Sequence, residues 1–242
     1  MPRLAALVAA LCAGLATAAT PQTGADGLAH TRPLPPGVTL LPADEQPAWN
    51  AIGRVNVAGF RMARMCTGTL IAPDRVLTAA HCTLAANGQP ARPDRLIFVA
   101  GWRVGNAAAS GNAVRVTRHE AWRPGRSALS NPASDLAILH LAEPLAGIRP
   151  IPIAAAGETA GALTILGYRG DRPHILHRYA PCPVTALRSD AMRIGCRAAP
   201  GTSGAPVLGE TRAGPRLVAV VSSTGPAGSL AARPDAWPPA RP

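Results

Sequence analysis

Three short segments of the 242-residue chain carry side chains that could act together in chemistry: Thr78-Ala-Ala-His-Cys82, Asp135-Leu-Ala-Ile-Leu139 and Gly201-Thr-Ser-Gly-Ala-Pro-Val207. A serine hydroxyl is a poor nucleophile at neutral pH until a base takes its proton. Histidine suits that role, because its pKa of about 6.5 also lets it hand the proton on to a leaving amine. A buried carboxylate fixes the imidazole tautomer and stabilises the imidazolium that forms. A serine flanked by glycines can sit in a tight turn whose backbone N–H groups face a developing oxyanion. His81, Asp135 and Ser203 supply every type this chemistry needs.

The order in the chain, His then Asp then Ser, discriminates between the architectures that host such a triad. A nucleophile elbow of the Gly-x-Ser-x-Gly kind needs its histidine after the serine. Here the last histidine is His177, and position 205, where the elbow needs glycine, is alanine. The order Asp, then His, then Ser would need an aspartate motif before His81, and nothing around Asp44 or Asp74 provides one.

The surrounding elements read as strands. Short apolar runs at Thr69–Ala72, Arg75–Thr78, Leu96–Ala100, Ala113–Val116 and Leu136–Leu141 are separated by turn formers such as Pro73-Asp74, Asn87-Gly88 and Gly111-Asn112. A second set follows a proline-rich crossing near 142–152: Ala162–Leu166, Cys182–Thr185, Met192–Ile194, Ala205–Leu208 and Arg216–Val221. Each chemical segment adjoins such a run, and residues at strand ends can converge where two β units meet. A composition that is 48% apolar yet only 3% aromatic, with much alanine, glycine and proline, fits an all-β chain of many short strands.

The segment around His81, Met65-Cys-Thr-Gly-Thr-Leu-Ile-Ala-Pro-Asp-Arg-Val-Leu-Thr-Ala-Ala-His-Cys82, resembles the catalytic-histidine region of the trypsin/chymotrypsin-like serine proteases. His119-Glu-Ala-Trp122 followed by Ser134-Asp-Leu-Ala-Ile-Leu-His-Leu141 is similar to that family's approach to its aspartate. Gly201-Thr-Ser-Gly-Ala-Pro206 and then Leu217-Val-Ala-Val-Val-Ser222 resemble its nucleophile loop and the strand after it. The resemblance runs from about Ile52 to Gly225. It implies two six-stranded antiparallel β-barrels of the chymotrypsin fold with the active site between them. It also implies His81 as general base and acid, Asp135 as its orienting partner, and Ser203 as the nucleophile of an acyl-enzyme. By the same resemblance the N–H groups of Gly201 and Ser203 form the oxyanion hole, Ser222 supports the aspartate and lines the substrate site, and Arg197 falls near the base of the specificity pocket. The segment Ser222–Gly225 would form that pocket's wall.

Three departures matter. The family's aspartate before the serine is Thr202, and its second following glycine is Ala205. Ile52-Gly-Arg-Val55 matches the family's activated N-terminus only faintly. Ser203 follows Asp135 by only 68 positions, which points to a reduced second unit. These features look more like the bacterial, glutamyl-endopeptidase-like branch, although Val221 stands where that branch often carries a substrate-reading histidine.

The remaining sequence sets the context. Arg3, the apolar run Leu4–Leu15 and Ala16-Thr-Ala18 read as a signal peptide over 1–18, too short to span a bilayer. Residues 19–48 then read as a flexible leader or propeptide, 49–225 as the peptidase domain and 226–242 as a proline-rich flexible tail. With Cys12 lost on export, four cysteines remain and fall into two local pairs, Cys66 with Cys82 and Cys182 with Cys196. Each bridge is worth about 3 kcal/mol in the chain-entropy model. The competing zinc reading of His174, His177, Cys182 and Cys196 matches no common ligand spacing, so no metal or other cofactor is expected.

All 24 basic residues are arginine, giving a net charge of +11, but they are scattered without a run or an aromatic-lined stripe. That reads as an ordinary solvated surface rather than a specific nucleic-acid footprint. The expected protein is a secreted or periplasmic monomer without a membrane anchor, acting on protein or peptide substrates. The alternatives are a catalytically silent trypsin-like binding module of the cell envelope, or a basic exported protein that binds nucleic acid or envelope.

Overall fold

The first β unit grows from the apolar runs between Ile52 and Leu141. In the computed structural model, which describes residues 33–58, 64–125, 131–155, 157–158 and 160–237, these runs form six strands. They are β2 (Ile52–Val57), β3 (Arg64–Ala72), β4 (Arg75–Thr78), β5 (Leu96–Ala100), β6 (Ala109–Arg118) and β7 (Ala137–Leu141), preceded in the chain by β1 (Val38–Leu40). β2 to β7 close into an antiparallel barrel in the order β2-β3-β4-β7-β6-β5. Ile52, Val55, Leu70, Val76, Leu96, Phe98 and Leu139 are fully buried in its core. Closure leaves no edge strand, so the barrel needs no other element to satisfy its backbone. Gly53 shows how tightly it closes: a Cβ there would lie 2.4 Å from the Val99 carbonyl oxygen.

The second unit is a sheet of eight strands rather than the six expected. It comprises β1, β8 (Ala160–Arg169), β9 (Arg172–Cys182), β10 (Val184–Leu187), β11 (Ala191–Ile194), β12 (Pro206–Thr211), β13 (Gly214–Gly225) and β14 (Gly228–Ala232). Their order is β1-β9-β8-β12-β13-β14-β11-β10. Leu163, Ile165, Tyr179, Val207, Ala219 and Val221 form its own core cluster. The unit is therefore not reduced. The short Asp135–Ser203 interval is offset by strands contributed from before residue 49 and after residue 225.

Those two contributions correct the expected boundaries. β1 lies in the segment read as flexible leader, where Val38 pairs with Tyr179 and Leu40 with His177 on β9. Leu41 is fully buried, its N–H donates to the Leu176 carbonyl at 2.8 Å, and Glu45 pairs with Arg178. β14 and the 3-10 turn Pro234–Ala236 lie in the segment read as tail, and Trp237 beyond them is buried with its indole N–H 3.1 Å from Glu120 Oε2. Partners distant in sequence supply the hydrogen bonds in both cases, which composition alone does not signal. β9 was also missed, because Pro173, His174, His177, Arg178 and Pro181 interrupt its apolar pattern. Residues 1–18, expected to be a signal peptide, lie outside the described residues. Among the described residues, no helix is long and apolar enough to cross a membrane.

His177 on β9 is fully buried, and among the described residues no hydrogen bond of ordinary geometry reaches either ring nitrogen. Burial, reinforced by the charges of Arg169 and Arg172, pushes its pKa down to about 4. The unfolded chain takes up this proton near pH 6.5 while the folded chain does not, so stability from this group is lost as pH falls from about 6.5 to about 4. The loss amounts to up to about 1.4 kcal/mol per pH unit within that window. His177→Leu should flatten the acid limb of a urea-denaturation series by up to one proton. An unchanged slope between wild type and variant would assign the acid sensitivity to other groups.

Candidate active site

His81 sits in the 3-10 turn Ala80–Thr83, immediately after the short strand β4. Its neighbour Cys82 is bonded to Cys66 on β3, with an S–S distance of 2.06 Å and Cα atoms 5.9 Å apart. The turn is thereby stapled to the barrel wall beside the ring. Asp135 ends the 3-10 turn Pro132–Ser134 just before β7 and is 1% exposed. Its two carboxylate oxygens grip His81 twice: Oδ2 lies 2.7 Å from Nδ1, and Oδ1 accepts the His81 backbone N–H at 2.9 Å. From β13 in the second unit, Ser222 Oγ donates to Oδ2 at 2.6 Å.

A carboxylate can only accept, so the Nδ1 proton faces Asp135 and Nε2 is the basic nitrogen of the neutral ring. Burial works to raise the Asp135 pKa. The hydrogen bond and charge of His81, together with the Ser222 and His81 N–H bonds, outweigh that effect and hold the carboxyl below the usual range. Asp135 is therefore ionised at neutral pH despite its burial.

Ser203 lies in the loop between Cys196 and β12, tied to both β units. Its carbonyl accepts the Thr67 N–H from β3 at 2.8 Å, and the next N–H, of Gly204, donates to Val221 O at 2.7 Å. These ties place it beside Cys66, the disulfide partner of His81's neighbour, and beside Ser222, the partner of Asp135. Among the described residues Ser203 Oγ makes no hydrogen bond, and His81 Nε2 has Cys82 Sγ as its neighbour at 3.7 Å. In unliganded sites the nucleophile–base bond is often long and tightens once substrate is bound.

The loop geometry is one that only glycine adopts at two points. Gly201 has φ +91° and Gly204 φ +80°. A Cβ on Gly204 would stand 2.1 Å from the Thr67 carbonyl oxygen and 2.2 Å from Thr78 Oγ1. Among the described residues, the N–H groups of Gly201 and Ser203 donate to nothing. Thr202 between them is fully buried, with Oγ1 3.2 Å from Tyr168 O and 3.1 Å from the Tyr179 hydroxyl. The position that holds a charge in the resembling family is here a neutral hydroxyl anchored among tyrosines.

Arg197, which the resemblance puts near the base of the specificity pocket, is exposed. The adjacent bridge Cys182–Cys196 has an S–S distance of 2.07 Å. Sequence reasoning missed Ser229 at this point, because it lies in the expected tail. Its buried hydroxyl accepts from the Ala198 N–H at 2.9 Å, donates to Cys196 O at 2.8 Å and lies 3.0 Å from Thr224 Oγ1, joining the segment 196–198 to the wall strand β13. Thr67 was also missed, although it stands next to Cys66 in the histidine motif. Cys66, His81 and Cys82 offer ligand atoms within 4.8 Å of one another, but the two sulfurs are bonded to each other and cannot act as thiolate ligands. A cavity of about 420 Å³ lies between Asn131–Ala133 and the β10–β11 hairpin, lined in part by Arg188, Asp190 and Arg193.

Comparison with known proteins agrees with this architecture. The secreted serine protease VesC from Vibrio cholerae is similar in fold, with a TM-score of 0.66 and 18% identity over 82% of this chain. The match covers 46% of VesC, so the chain spans about half that protein's length. A Glu endopeptidase is similar with a TM-score of 0.64 and 20% identity, over 81% of this chain and 90% of that one. No curated protein matches the chain by sequence. The family model of the trypsin-like peptidase domain matches residues 66–220, more than half of the chain and spanning the histidine, aspartate and serine segments. The chain belongs to the trypsin-like peptidase family.

Proposed function

We propose that this chain is an exported serine endopeptidase that cleaves protein substrates with His81, Asp135 and Ser203. The observation that carries the reading is the double grip of a buried, ionised Asp135 on His81, completed by Ser222. Ser203 Oγ attacks the scissile carbonyl carbon while His81 Nε2 takes its proton. The carbonyl oxygen becomes an oxyanion facing the N–H groups of Gly201 and Ser203. The C–N bond then breaks as His81 returns the proton to the departing amine, leaving an acyl group on Ser203. Water, deprotonated by His81, releases the acid and restores the serine. Asp135 stays ionised throughout and stabilises the imidazolium.

Export is supported by the two disulfides, which persist in oxidising compartments, and by the signal-like segment 1–18. VesC is described as secreted, in keeping with this localisation.

Labelling by a fluorophosphonate tests the reading directly. The purified protein should give a covalent adduct mapped to Ser203, and heat-denatured protein should give none. Absence of any adduct from the folded protein would favour the catalytically silent binding module.

A further inference from the structure

We propose that Gly170, in the turn of the β8–β9 hairpin, is a positioning residue for the oxyanion hole: its N–H holds the Pro200 carbonyl and thereby aims the N–H of Gly201 at the developing charge. The role rests on the serine-peptidase reading of Ser203 given above.

A trans peptide is planar, and its C=O and N–H point in opposite directions. The N–H of a residue is therefore aimed by the carbonyl of the residue before it. The Gly201 N–H shares a peptide with Pro200 O, and the Ser203 N–H shares one with Thr202 O. Thr202 O accepts from Ala205 N at 3.0 Å, a bond made within the loop itself. Pro200 O accepts from Gly170 N at 2.7 Å, and that donor comes from a hairpin outside the loop.

Two β-turns follow one another here. Thr202 N donates to Ala199 O at 3.0 Å and closes the first around Pro200 and Gly201; the Ala205–Thr202 bond closes the second around Ser203 and Gly204. Gly201 at φ +91° and Gly204 at φ +80° give both turns the type II form, whose central peptide is reversed relative to type I. In the second turn that peptide is pinned at both ends, since Ser203 O accepts Thr67 N at 2.8 Å and Gly204 N donates to Val221 O at 2.7 Å. In the first, the Gly201 N–H is left for substrate and the bond from Gly170 holds the other end. Proline followed by glycine fits either turn form, because glycine takes both signs of φ. Turned over, the peptide would present Pro200 O to the oxyanion in place of an N–H. The Gly170 bond selects the productive form.

The hairpin is braced for this contact. Arg169 pairs with Arg172, which leaves Gly170 and Asp171 as a two-residue turn. The Arg169 guanidinium donates to both carboxylate oxygens of Asp171, at 2.9 and 2.8 Å. Thr202 Oγ1 reaches Tyr168 O at 3.2 Å, so the hairpin end meets the loop on either side of Gly201. The approach is close: a Cβ on Gly201 would lie 2.7 Å from Gly170 N. A Cβ on Gly170 itself would lie 3.4 Å from Pro200 O, an ordinary contact, and Gly170 is outside the left-handed region. Alanine therefore fits at 170 with the donor kept, whereas proline removes the donor.

The experiment compares Gly170→Pro with Gly170→Ala by the rate of fluorophosphonate labelling, by kcat and KM on p-nitrophenyl acetate, and by urea unfolding. Gly170 follows the extended Arg169 and opens the turn, a place that accepts proline. Gly170→Pro should slow labelling and lower kcat by roughly 10²- to 10³-fold with KM nearly unchanged, the loss expected when one hole donor is misdirected. Gly170→Ala should match wild type in all three measurements. If the proline variant does not fold, glycolic acid in place of Gly170, introduced by cell-free translation, removes the same N–H as an ester without adding a ring, and should also slow labelling. A proline or ester variant that labels as fast as wild type overturns the proposal. So does an alanine variant as slow as proline, since room at the turn rather than the donor would then matter. If wild type itself is not labelled at Ser203, the peptidase reading fails first and the positioning role falls with it.

Discussion

Ser203→Ala and His81→Ala will each lower hydrolysis of an activated ester or an unfolded protein substrate by on the order of 10⁴-fold or more, and the double variant will be hardly slower than either single. The expectation follows from the division of labour at the site. Without the serine there is no acyl-enzyme, so the base has no hydroxyl to activate. Without the imidazole the hydroxyl keeps its proton. Either loss removes the same pathway, and the second has little left to remove.

Neither substitution should disturb the fold. Ser203 Oγ makes no hydrogen bond among the described residues. His81→Ala keeps the backbone N–H bonded to Asp135 Oδ1, and Ser222 still donates to Oδ2, so the buried carboxylate retains two of its three hydrogen bonds. Active-site titration and circular dichroism on the same samples separate chemistry from folding. Losses that multiply in the double variant would mean that the two residues act independently, contrary to a triad.

The second large effect concerns the N-terminal side. In the trypsin-type switch a freshly cut amine inserts to pair with the aspartate before the serine. Here Thr202 occupies that position, fully buried with its hydroxyl already bonded to Tyr168 O and near the Tyr179 hydroxyl. An ammonium group buried there without a counter-charge would cost several kcal/mol. Ile52 cannot serve as the inserted terminus, since it is buried within β2 and paired with Thr69 on β3. Chains beginning at residue 19 or at Leu34 should therefore turn over at equal rates.

Chains beginning at Glu45 should lose activity because they lose the fold. They lack β1 and Leu41, whose full burial is worth about 2–3 kcal/mol, along with the strand's hydrogen bonds at about 1 kcal/mol each. That sum is a large share of a typical domain stability of about 5–15 kcal/mol. Active-site titration across this truncation ladder is the measurement. A gain of tenfold or more at one particular start, abolished by carbamoylating the new amine, would show that a terminal switch operates despite Thr202.

The family was legible in the sequence because His81, Asp135 and Ser203 each sit in a short local pattern whose chain order points to one architecture, and the trypsin-like peptidase model matches residues 66–220. The barrel strands were legible for a similar reason: Leu96–Ala100 and Leu136–Leu141 are apolar runs bounded by turn residues. The local cysteine pairs needed only short loops to close. What the sequence left open were features made by residues far apart in the chain. β1 is a strand because β9 offers an edge to it, and β14 because β13 and β11 flank it, although β1 is only three residues long and β14 has no β-branched residue. The exposure of Arg197 and the bridging hydroxyl of Ser229 depend on how the loop at 196–198 meets β14. Thr67 reads in sequence as one more strand threonine, no different from Thr69. Only the approach of the 200–204 loop to β3 gives one hydroxyl two partners and leaves the other with none, because a hydrogen bond is decided by distance and direction that composition does not carry.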